Sequence, residues 1–150
     1  MVGMKRSTPL AFVLAVFMLA FSAAARADDL KAMEGTWKVE SAEAEGQKIE
    51  SEDLKELVVK IASDRYDLKI KDKTDAGTLK VDETQKPKTM DATDTEGEDV
   101  GKVTKAIYEL SGDTLRVCYA LNGGERPKEL ATSAGSSLLL ITYKREKKAE

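Results

Sequence analysis

Along most of this chain an apolar side chain returns at every second position. In "TWKVES", residues 36–41, Trp37, Val39 and Ser41 share one face while Lys38 and Glu40 take the other, the alternation of a strand with one side buried. "LVVKI" repeats it with Leu57, Val59 and Ile61, and "RYDLKIK" sets Tyr66, Leu68 and Ile70 against Asp67, Lys69 and Lys71. Leu79 and Val81 alternate in "GTLKVDE", Ala106, Tyr108 and Leu110 in "KAIYEL", Leu115, Val117 and Tyr119 in "TLRVCYA", and Leu139, Ile141 and Tyr143 in "LLLITYKR". "KTMDAT" and "KELATS" carry the same period with fewer apolar groups. About eight short strands at even spacing predict an all-β fold, an antiparallel barrel or sandwich.

Two segments depart from this period. "DDLKAME" and "SEDLKEL" begin with polar residues and space their leucines as single helical turns do. Short helices are therefore expected near residues 30–33 and 53–57, with Ser51 as an N-cap. No internal repeat and no long linker divides the chain.

The stretch "GDTLRVCYALNGGERPKEL" reads as a hairpin rather than a reactive loop. Ser111-Gly112-Asp113 forms one turn, and Asn122-Gly123-Gly124 supplies residues that tolerate positive φ in the next. Cys118 then falls out of phase with Leu115, Val117 and Tyr119, on the face of Thr114, Arg116 and Ala120. A nucleophilic thiol needs a base or a thiolate-stabilising cation, and only Arg116 is near in sequence. Cys118 is expected to be a packed thiol. Lys86-Pro87-Lys88 and Arg126-Pro127 read as brakes on exposed strand edges, because proline donates no ladder hydrogen bond.

Composition adds the compartment and narrows the chemistry. Of 150 residues, the first 27 have the three parts of a secretory signal: Lys5 and Arg6, an apolar run from Leu10 to Phe21, then small residues ending in Ala25-Arg26-Ala27. The run is shorter than the ~20 residues a spanning helix needs, so cleavage is expected, leaving residues 28–150 as one domain. Loss of Lys5, Arg6 and Arg26 moves the formal net charge from −3 to −6. Nucleic acid is thereby disfavoured as a partner. The basic residues in "YKREKKAE" are interrupted by Glu146 and are expected to form a solvated tail. An exported, periplasmic or extracellular monomer without stable membrane insertion is the expectation.

Histidine is absent and cysteine occurs once. The first fact removes imidazole catalysis and histidine zinc sites, and the second removes an internal disulfide framework. Carboxylates are abundant, but Glu40, Asp67 and Glu109 fall on polar strand faces. None is expected in the apolar setting that a catalytic acid of raised pKa requires. The acidic run "DATDTEGED", residues 91–99, places Ala92 where a calcium loop ending at Gly97 would need its first acid, and a solvated loop is expected there. Neither metal nor cofactor is expected.

A resemblance completes the reading. Gly35-Thr36-Trp37 at the start of the first strand looks like the G-x-W signature of lipocalins. "MEGTWKVESAEAEGQKI", "KVDETQKPKTMDAT", "AIYELSGDTLRVCYA", "GGERPKEL" and "LLLITYKRE" resemble, in order, a lipocalin-like domain family of small exported proteins abundant in planctomycete bacteria. The resemblance implies a small antiparallel lipocalin-like barrel, closed at one end by Gly35 and Trp37, with Arg145 or Arg116 as the arginine packed across the tryptophan. It transfers no catalytic residue. The expected function is non-catalytic binding of a small apolar ligand, with Val39, Val59, Tyr66 and Leu68 on one half of the barrel and Tyr108, Leu115, Tyr119 and Ile141 on the other as cavity candidates. The alternative is a structural or protein-interaction module of the cell envelope with a filled barrel.

Overall fold

The computed structural model describes residues 28–147; the expected signal segment, residues 1–27, lies outside them. After a short helix, α1 (Asp28–Ala32), the chain runs through β1 (Gly35–Ala44), β2 (Gln47–Lys48), helix α2 (Glu52–Lys55), β3 (Val58–Ala62), β4 (Arg65–Ile70) and β5 (Lys73–Asp82). It continues with β6 (Lys88–Glu96), β7 (Val103–Ser111), β8 (Thr114–Ala120) and β9 (Leu138–Arg145). Every pairing is antiparallel; β1 pairs with β2, β3 and β9, and from β3 to β9 successive strands are neighbours. The sheet thus closes into an eight-stranded up-and-down barrel, all-β and lipocalin-like, with β2 only a two-residue flap on the end of β1. Closure satisfies every strand edge within the barrel. Among the described residues no helix is long and apolar enough to cross a membrane.

Alternation does what the sequence predicts on most strands. Trp37 pairs with Val59, Val59 with Leu68, and Ile61 with Tyr66, while Tyr108 pairs with Val117 and Val117 with Ile141. All belong to one inner apolar cluster. Strand β1 departs halfway along. Val39 faces Tyr143 and Ser41 faces Thr142, so Glu40 is an extra residue, a bulge. One inserted residue exchanges the two faces beyond it. Ala42 is therefore the buried inner residue and Ser41 lies outside, contrary to the alternation read from "TWKVES".

The helical turns fall where expected, but Ser51 makes no side-chain capping bond although it occupies the N-cap position of α2. "KTMDAT" is strand, and it extends through the acidic run to Glu96, so Asp91, Asp94 and Glu96 belong to β6 rather than to a solvated loop. Each gains a ladder partner on β5 or β7 that charge patterning does not reveal.

"KELATS" is not a strand. It lies in the long connection between β8 and β9, residues 121–137, which folds back over the outside of the barrel. Ile107, Cys118 and Leu140 point outward from adjacent strands and are nonetheless buried, with Leu130 and Leu138 packed on them. Cys118 is a packed thiol with 0% exposure; burial raises its pKa, and its Sγ is 3.8 Å from the Ala131 carbonyl oxygen. Arg126 pins the connection. Its Nη1 donates to the carbonyls of Met90 (3.1 Å) and Ala106 (2.8 Å), and its Nη2 to Asp91 at 2.6 Å. Arg126-Pro127 is thus a clamp, and Lys86-Pro87-Lys88 leads through the β5–β6 turn into β6; neither guards an edge, since a closed barrel has none.

Candidate functional site

The two ends of the barrel are built differently. At one end lie α1 and the first residues of β1. Trp37 is 1% exposed, and its Nε1 donates to the Met33 carbonyl at 2.8 Å, which ties the ring to the turn after α1. Arg145 lies across the other side of the indole, its guanidinium carbon 4.4 Å from the ring centroid. The same guanidinium donates to the carbonyls of Ala32 and Glu34 and to Asp113. Of the two arginines that the resemblance offered, Arg145 is therefore the one over the tryptophan. It is no part of a solvated tail, and neither is the buried Tyr143.

Gly35 makes this closure sterically feasible. Its φ of +133° suits glycine, and a Cβ there would stand 3.2 Å from Arg145 Nη1. Asp29 on α1 completes the floor, accepting from Lys88 Nζ and the Tyr108 hydroxyl, each at 2.8 Å. Burial works to raise the Asp29 pKa, but the bonds from Lys88 and Tyr108 outweigh it and hold the group below the ordinary aspartate value.

Above this floor a cavity of about 390 Å³ runs to the opposite rim. Its wall is mainly aliphatic and aromatic, with Trp37 at the base and Leu54 of α2 and Leu121 at the mouth. Val59, Tyr66, Leu68, Leu115, Tyr119 and Ile141 all line it. Val39 packs on the inner cluster without reaching the cavity, and Tyr108 is turned to Asp29 at the floor. The hydroxyls of Tyr119 and Tyr143 bond each other at 2.9 Å within the wall. Burial lifts both above the ordinary tyrosine range, Tyr119 to about 12.

Two carboxylates also line the cavity, Asp75 on β5 and Asp94 on β6. The period of two predicts them in retrospect: Asp75 continues the phase of Gly77, Leu79 and Val81, and Asp94 that of Met90 and Ala92. They correct the expectation that acids keep to the polar faces. Asp94 accepts from the Tyr66 hydroxyl, and burial together with that bond raises the Tyr66 pKa. The Tyr66 ring reaches Asp94 by crossing Gly77, where a Cβ would run into the ring and the Thr93 carbonyl oxygen. At Gly97, with φ of +105°, a Cβ would collide with the Asp75 carboxylate. Glycine at 77 and 97 thus clears space for the groups that make the mouth polar.

The turns Asn122-Gly123-Gly124 and Gly97-Glu98-Asp99 are exposed and stand at this open end, with Asn122, Gly123 and Gly97 at positive φ. Among the described residues no three acidic or cysteine side chains gather as a metal-holding group. The chain matches no protein-family model, no curated protein and no solved structure.

Proposed function

We propose that the protein is exported, belongs with the lipocalin-like exported proteins it resembles, and acts as a monomer by holding a small, largely apolar molecule in its barrel without catalysing a reaction. One observation carries this reading: the barrel is not filled to its axis, but leaves about 390 Å³ between apolar walls. That volume falls within the range of small-molecule sites, ~300–1,000 Å³, which are typically apolar with a few placed polar groups. The same volume disfavours the filled-barrel alternative, since eight strands can either pack their interior or hold one ligand.

Trp37 is the only tryptophan and lines the base of the cavity, so it is a built-in reporter. Exported protein, whose first residue should be Asp28, is titrated with an apolar probe small enough for the cavity while tryptophan emission is followed. A saturable shift of emission is expected. Emission that stays unchanged while the probe also fails to gain fluorescence would overturn the binding reading and leave a structural or protein-interaction role.

A further inference from the structure

The mouth of the cavity has a definite charge. Among the described residues that line it, Asp75 and Asp94 are the only ionisable side chains apart from tyrosines, with no lysine or arginine. Three cations near these carboxylates are engaged with other acids: Arg65 with Glu96, Lys73 with Glu98, and Arg126 with Asp91. None of the ion pairs among the described residues includes Asp75 or Asp94. Both sit near the rim end of their strands, and Trp37 lies at the far end. The wall between is mainly apolar, so the cavity itself is amphipathic along its axis.

We infer that the ligand is an amphipathic cation: an amine whose apolar body lies toward Trp37 and whose ammonium group meets Asp94 and Asp75 at the mouth. This rests on the binding reading above and names the ligand class. A carboxylate in a partly dry site is stabilised by a cation that also donates hydrogen bonds. The Tyr66 hydroxyl supplies one bond to Asp94, leaving acceptor capacity for an N–H donor. An anionic ligand such as a fatty acid would instead set like charges together at the mouth. A head group at the rim also keeps part of its hydration, which limits the desolvation cost that a fully buried ion pair carries.

The test compares octylammonium, octanol and octanoate, three probes with the same tail, by calorimetric titration of the whole protein and of its Asp94→Asn and Asp75→Asn variants. Octylammonium should bind about tenfold or more tighter than octanol, as expected for a charged hydrogen bond, with octanoate weakest. Each variant should lose that advantage while its affinity for octanol stays within about twofold and its circular dichroism is unchanged. Equal binding of octylammonium and octanol, or tightest binding of octanoate, would refute the cationic ligand while leaving the cavity a binding site. Saturable binding of none of the three would remove both readings. If Asp94→Asn unfolds, Asp75→Asn and the probe series on the unaltered protein still decide the question.

Discussion

Trp37 and Arg145 show how much of the closed end depends on two side chains. The indole is sandwiched between the apolar interior and a guanidinium that also bonds two carbonyls from the turn after α1, so floor, first strand and last strand meet at one point. Stacking and planar donation require arginine; lysine keeps the charge but not the fork. Arg145→Lys is therefore expected to lower stability by about 1–2 kcal/mol, and Trp37→Ala by about 3–5 kcal/mol as a large-to-small core change. Urea unfolding followed by circular dichroism measures both. An Arg145→Lys variant as stable as the parent would mean that the guanidinium contacts contribute nothing net.

Among the elements, the connection between β8 and β9 behaves as a cover rather than a strand. It excludes water from Ile107, Cys118 and Leu140 on the outer face, and Arg126 holds it with three hydrogen bonds, one of them to a carboxylate. Such bonds contribute about 1.5–3 kcal/mol when a charge is involved. Arg126→Ala should therefore let the cover open without unfolding the barrel, and Cys118 in the variant should react with a thiol reagent at least about tenfold faster. In the parent, burial and the raised pKa should keep the thiol inert until the protein is denatured. Equal labelling rates in variant and parent would show that Arg126 does not hold the cover.

The molecule as a whole has an alkaline limit written into its tyrosines. All four, Tyr66, Tyr108, Tyr119 and Tyr143, have pKa values raised above the ordinary 10.0, with burial the largest cause in each case. The unfolded chain releases these protons first. The stabilisation is therefore complete below the ordinary value and is lost as pH rises through the folded values. An absorbance titration should show no tyrosinate while the barrel is folded, then one cooperative rise that coincides with loss of the far-ultraviolet strand signal. A tyrosine that titrates near its ordinary value in folded protein would contradict this.

The alternation of apolar and polar residues was enough to predict an all-β chain, most strands, both helical turns and six of the eight cavity candidates, because each depends on neighbours one or two residues away. Gly35 and Trp37 were likewise legible, as a short motif at the start of the first strand. What the chain by itself could not disclose are effects of residues far apart in sequence. The Glu40 bulge reverses the faces of β1 only when β9 sets the register. Ile107 and Cys118 are buried on an outward face only because residues 121–137 return to cover them. The choice of Arg145 over Arg116 needed the last strand beside the first. Asp75 and Asp94 share the phase of their inward neighbours, but that these two acids line a cavity became visible only when β5 and β6 closed into the barrel around it. Whether a ring of medium-sized side chains fills a barrel or leaves a cavity is a sum over all eight strands, and packing of that kind has no local signature.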